Sequence, residues 1–139
     1  MKIGIGKIDI TPPIGVELYG YGPFRERKST GVHDNLFCKV LYLENGEEKG
    51  IISVCDLVYL GDKLVKETRE KISKKLNIEE EKILLAGIHT HSGPATADHI
   101  GWGEPDKEYL SKLPDLILKA VEEAKENLKE VKVGIGTIK

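Results

Sequence analysis

Asn45-Gly46 stands between two β-favouring runs, Leu36 to Leu43 and Gly50 to Leu57, and constrains the fold more than any other feature of the chain. A dipeptide of this kind between apolar runs is the strongest short-range signal for a hairpin, so the two runs are expected to pair antiparallel. Beyond the hairpin the hydrophobic period changes. Leu64, Val65, Thr68, Ile72 and Leu76 fall on one helical stripe, with Lys and Glu on the other face. Lys82 to Ile88 reads as a short buried strand. Leu110, Leu113, Leu116, Ile117, Ala120, Val121, Ala124 and Leu128 then mark a second amphipathic helix. Pro114 should kink that helix or open its second half.

Ahead of the hairpin, Ile3, Ile5, Ile8 and Ile10 read as a first strand that Thr11-Pro12-Pro13 ends, because proline supplies no ladder donor. The stretch from Ile14 to Asn35 carries Gly15, Gly20, Gly22, Pro23 and Gly31 and reads as a long loop. Loops of that length in compact domains tend to be functional or disordered. Its tip, Arg25 to Thr30, is expected to be charged and mobile. Val131 to Ile138 closes the chain as a last strand. The order β-β-β-α-β-α-β implies one layered α/β domain over residues 1–139 with a mixed sheet, its hairpin antiparallel and its crossovers parallel. Val133-Gly134-Ile135-Gly136-Thr137-Ile138 echoes Ile3-Gly4-Ile5-Gly6-Lys7-Ile8. The chain stops at Lys139 with no capping turn, so the echo is either a coincidence of glycine-rich strands or a domain cut in mid-sheet.

Charged residues at 32%, hydrophobic ones at 40% and a net charge of −2 fit a soluble globular domain and give no basic face for nucleic acid. No apolar stretch approaches the roughly 20 residues that span a bilayer. The opening residues lack a secretory signature, which makes a cytoplasmic location the default expectation. Cys38 and Cys55 lie in apolar runs without a CxxC partner and read as small buried hydrophobes; a disulfide between neighbouring strands or a metal role is the alternative.

The chemistry concentrates in Gly87-Ile88-His89-Thr90-His91-Ser92-Gly93-Pro94. On a strand, residues i and i+2 share a face, so His89 and His91 are expected to project together from a strand end. Ser92-Gly93-Pro94 supplies the turn after them. Neutral imidazole is the commonest protein ligand for zinc, and such a pair can share one ion or divide ligand and acid/base duties. The bland alternative is two half-buried strand histidines bonded to backbone. A metallo-β-lactamase pattern would need Asp-His at positions 93 and 94, where Gly93 and Pro94 stand. Asp56, at the end of an apolar strand, could orient a ligand histidine, touch substrate or cap a loop. His33-Asp34 closes the long loop, and Asp98-His99 with Trp102 could line a pocket mouth.

Together these segments resemble one family. Gly6-Lys7-Ile8-Asp9-Ile10-Thr11-Pro12-Pro13, Gly20-Tyr21-Gly22, Gly31-Val32-His33-Asp34, Cys55-Asp56-Leu57 and His89-Thr90-His91-Ser92-Gly93-Pro94 follow the order and approximate spacing of the neutral/alkaline non-lysosomal ceramidases. Members are zinc amidases that cleave the N-acyl bond of ceramide to sphingosine and a fatty acid. The resemblance implies a bound Zn2+ with His89 as ligand, and His91 at the metal as a further ligand or a catalytic contact to the reacting oxygens. It maps Asp56 onto a strand-end aspartate of the catalytic region, and places Gly93, His33 and Asp34 on the substrate side. It also implies that a second histidine, a glutamate, a tyrosine and a serine-containing segment come from beyond the equivalent of Lys139. Two imidazoles do not make a catalytic zinc site of three protein ligands plus water.

Three functions are therefore open. The first is a zinc-dependent hydrolase of an amide or lipid-like small molecule, completed by a longer chain, a companion polypeptide or another subunit. The second is a non-catalytic remnant or small metal-binding module. The third is a homo-oligomeric metalloenzyme whose shell draws on His33, Asp56 or His99 across subunits.

Overall fold

The structure is a computed structural model and describes residues 1–21 and 26–138. Gly22, Pro23 and Arg25 of the long loop, and Lys139, lie outside the described residues. The chain runs β1 (Lys2–Asp9), β2 (Phe37–Asn45), β3 (Glu48–Cys55), α1 (Asp62–Leu76), a 3₁₀ turn (Glu80–Lys82), β4 (Ile83–Gly87), α2 (Lys107–Glu126) and β5 (Lys129–Glu130). The expected order of strands and helices, and the mixed sheet, are present. The strands lie side by side as β4-β3-β2-β1-β5.

The hairpin forms where the sequence places it, with Asn45 paired to Glu48 and Gly46-Glu47 as the two turn residues. Gly46 takes φ 64° and Glu47 stays out of the left-handed region, as in a type II′ connection. From β3 the chain crosses through α1 and returns as β4, parallel to β3 with Cys55 opposite Gly87. The second crossover departs from expectation. After α2 the chain reaches the far edge, where β5 pairs antiparallel with β1 through Lys2↔Glu130 and Ile3↔Lys129.

Both helices contribute to one core with a single face of the sheet. Leu64, Thr68 and Ile72 of α1, and Leu113, Ile117, Ala120, Val121 and Ala124 of α2, are buried along with Cys38, Val40, Tyr42, Ile51 and Ile83. Asp106 caps α2 by accepting from the Tyr109 amide at 2.7 Å. Pro114 neither ends the helix nor restarts it; α2 is one helix of 20 residues with Pro114 buried in its inner stripe. Packing of Leu113 and Ile117 on the core outweighs the one backbone bond the proline forfeits.

The opening glycines find their reason here. α2 crosses β1 so closely that a Cβ on Gly4 would overlap the Ala124 carbonyl oxygen, and one on Gly6 the Ala120 carbonyl oxygen. The look-alike segment at the other end does something different. The expected strand over Val131 to Ile138 is absent: the ladder stops at Glu130, and nothing lies within 4 Å of a Cβ built on Gly134 or Gly136. With no strand partner among the described residues, Val133, Ile135 and Ile138 are exposed. The helix-free face of the sheet is also apolar. Ile5, Leu41, Ile52 and Leu84 stand in one register across four strands and are all exposed. Among the described residues no helix is long and apolar enough to cross a membrane.

The two glycine pairs make opposite predictions in urea unfolding. Gly6→Ala should cost about 3 kcal/mol, because neither backbone can yield. Gly136→Ala should stay within about 0.5 kcal/mol of the parent.

Candidate metal centre

β3 and β4 end together, and the chain beyond each forms the site. Gly87 lies so close to the strand exit that a Cβ would sit 2.7 Å from the Leu57 carbonyl oxygen. β4 therefore stops there, and His89 is not on a strand. The Ile88 amide donates to the Cys55 carbonyl at 3.1 Å and the His89 amide to the Leu57 carbonyl at 3.0 Å. His89 itself adopts φ 68°, a left-handed conformation uncommon for a residue with a Cβ. Strain of this kind persists only where surrounding structure imposes it and concentrates at functional sites.

The side chain of His89 is fixed by the same segment. Its Nδ1 lies 3.0 Å from the Val58 carbonyl oxygen. A carbonyl only accepts, so Nδ1 is the donor, and in a neutral imidazole this leaves the Nε2 lone pair free. Ligand histidines are held this way, with one N–H on a carbonyl and the other nitrogen facing the metal. His91 sits beside it with the two rings edge to face, centroids 4.9 Å apart. The pair is thus brought together as expected, though by a strained turn rather than by strand periodicity.

The long loop supplies the other wall. It is a small antiparallel arm rather than free chain: Leu18 donates to the Arg27 carbonyl, Ser29 to the Val16 carbonyl and Gly15 to the Ser29 carbonyl, at 2.8 to 3.0 Å. Glu17 pairs with Lys28, and Leu18 bridges to Pro94. The Tyr19 amide donates to the Gly93 carbonyl at 3.0 Å, and the Ala95 amide to the Glu17 carbonyl at 2.9 Å. Arg27, Lys28 and Ser29 of the charged tip are therefore held by pairing. At the top of the arm Gly20 lies directly beneath the His91 ring, where a Cβ would sit 2.7 Å from Cγ. Tyr21 meets the same ring edge-on at 5.1 Å.

The remaining sequence candidates divide. His33, Asp34 and Gly93 do share a cleft of about 450 Å³ with Thr90 and Ser92. His33 and Asp34 are almost fully exposed and pair with each other at 2.8 Å. Asp56 is turned elsewhere. Its carboxylate accepts from the Phe37 amide at 2.9 Å and lies 3.2 Å from Lys39 Nζ, and no hydrogen bond among the described residues links it to either histidine. His99 bonds the Tyr19 hydroxyl and packs near Tyr59 and Trp102 shares the Tyr19 ring, away from the imidazole pair's own contacts. Cys38 and Cys55 are free, buried and directly opposite across β2 and β3. Their neighbouring sulfur and burial push the Cys55 thiol up, so it stays protonated and inert. Among the described residues no three His, Cys, Asp or Glu side chains stand together as a metal site. Sequence reading missed Arg27, Tyr19 and the carbonyls of Leu57 and Val58. Backbone acceptors leave no residue-type signal, and one arginine in a charged stretch carries none.

The chain belongs to the family described as neutral/alkaline non-lysosomal ceramidase, N-terminal, which matches residues 1–139. Its fold is that of a crystal structure of neutral ceramidase from Pseudomonas aeruginosa, with a TM-score of 0.82 at 23% identity over 92% of this chain and 22% of that one. A structure titled as ceramidase complexed with C2 matches equally, with a TM-score of 0.82, 23% identity, 92% of this chain and 21% of the other. The chain spans about a fifth of the length of these solved structures.

Strain at His89 is measurable by substitution. His89→Gly should be about 1 kcal/mol more stable than His89→Ala in denaturant unfolding, since only glycine adopts φ 68° without penalty. Equal stabilities would show that the left-handed turn is not imposed on the chain in solution.

Proposed function

With the family established, we propose that this chain is the metal-bearing portion of a zinc-dependent ceramidase-type hydrolase that cleaves an N-acyl amide bond. The observation that carries the reading is the His89 Nδ1–Val58 contact of 3.0 Å, which orients an exposed imidazole with its Nε2 free. The donors fit zinc as half of a shell: neutral imidazole is the ligand it favours, and His91 lies alongside. Bound zinc supplies a water of pKa near 7 and polarises an amide carbonyl.

The chain's own residues do the holding. His89 Nε2 ligates, and the Val58 carbonyl fixes its tautomer. His91 would stand at the metal as a ligand or as a contact to the reacting oxygens. The cleft bordered by Thr90, Ser92, Gly93, His33 and Asp34 receives the small-molecule amide or lipid-like substrate. Asp56 holds the start of β2 and Lys39 and takes no part at either histidine. The rest of the shell comes from a longer chain, a companion polypeptide or a further subunit, because three clustered ligands are absent among the described residues.

Zinc titration against a chromophoric chelator tests this. The chain should bind zinc at one to one, and His89→Ala should weaken binding at least tenfold while leaving the circular dichroism unchanged. Equal zinc affinity of parent and His89→Ala would overturn the assignment and leave a binding module without a metal role.

A further inference from the structure

We propose that Arg27 is a positioning residue for His91, reaching from the loop arm to fix the backbone on which that imidazole is mounted. The inference rests on the metal reading above for its purpose, though not for its geometry. One guanidinium nitrogen, Nη2, donates to the His91 carbonyl at 2.8 Å and to the Tyr19 carbonyl at 3.0 Å. It thus joins two segments that lie 64 and 8 residues from it in sequence. The guanidinium carbon stands 4.9 Å from the centre of the Tyr21 ring, and Tyr21 in turn meets His91 edge-on. Arg27 lies over the face of Tyr21 and Tyr21 abuts His91, with Gly20 closing the His91 ring from below.

The arm does not need this side chain in order to fold. Main-chain bonds from Gly15, Leu18 and Ser29 close it, and those from Tyr19 to Gly93 and from Ala95 to Glu17 dock it on residues 93 and 95. Arg27 is what holds the His91 carbonyl among the described residues, and a charge-assisted bond to a carbonyl is stronger than a neutral one. Its Nε is buried with no partner among the described residues, a cost accepted only where the guanidinium is held in place by other demands. Lysine offers a point charge rather than a planar fork, so it could serve one carbonyl while losing the stack on Tyr21.

Long-range ¹H–¹⁵N NMR of the histidine rings in the metal-free chain tests the proposal, with His91→Asn assigning the signal. In the parent, the His91 ring protons should carry shifts from the adjacent Tyr21 ring. In Arg27→Met those shifts should collapse toward the values of an exposed histidine while the His33 signals stay in place. Arg27→Lys should fall between. Zinc affinity should drop about tenfold in Arg27→Met, the size expected when a group orienting a ligand is lost, and recover in part in Arg27→Lys. Unmoved His91 signals in Arg27→Met would overturn the proposal. If that variant does not fold, an Arg27→Lys spectrum identical to the parent's overturns it instead. Failure of the parent to bind zinc would overturn the metal reading alone, since the NMR comparison is made without metal.

Discussion

The carbonyls of Leu57 and Val58 hold His89 at both ends of the residue, amide and ring, and the rest of the candidate site is built outward from that double hold. They can do so because β3 and β4 run parallel and finish level, leaving the chain after β3 beside the chain after β4. A left-handed residue with a Cβ costs of order 1–2 kcal/mol in an unconstrained chain. The two bonds and the crowding of Gly87 against Leu57 sustain it here. What the strain yields is a histidine whose ring is oriented by the chain itself, so that binding a metal there, as proposed, would need less ordering.

The arm between β1 and β2 then adds a second hold on the same motif, from the opposite side. Its main chain pairs with Gly93, Pro94 and Ala95, and Arg27 reaches the His91 carbonyl. His89 is thus governed by the sheet and His91 by the arm. The two imidazoles meet where these independent supports converge. Elsewhere the fold presents surfaces that look outward: the apolar register Ile5, Leu41, Ile52 and Leu84 on the helix-free face, and the exposed Val133, Ile135 and Ile138 beyond the last ladder. The solved structures that share this fold have more than four times its length.

Much of this was legible in the residues, for identifiable reasons. The hairpin and both helices announce themselves because turn chemistry and apolar periodicity are local properties, as at Asn45-Gly46 and along Leu113, Ile117 and Ala120. The histidine motif stands out in the residues, but its geometry was misread. Period-2 reasoning put His89 on a strand, whereas the Leu57 carbonyl forces the chain off the sheet at Gly87. The last strand failed similarly: Val133 to Ile138 has the pattern of β1, but a strand exists only where a neighbour offers its ladder, and β1 has run out by Met1. The arm was read as loose because its pairing depends on backbone groups that glycine-rich sequence does not advertise. Asp56 shows the same limit, since a strand-end carboxylate looks alike in sequence whether it serves a ligand histidine or the Phe37 amide.

X-ray absorption at the zinc edge of the zinc-loaded chain tests the central claim, that the sheet end presents a preset imidazole to a metal. The account predicts imidazole scattering with a zinc–nitrogen distance of about 2.0–2.1 Å, lost in His89→Ala. A shell of oxygen atoms alone, unchanged by that substitution, would contradict it.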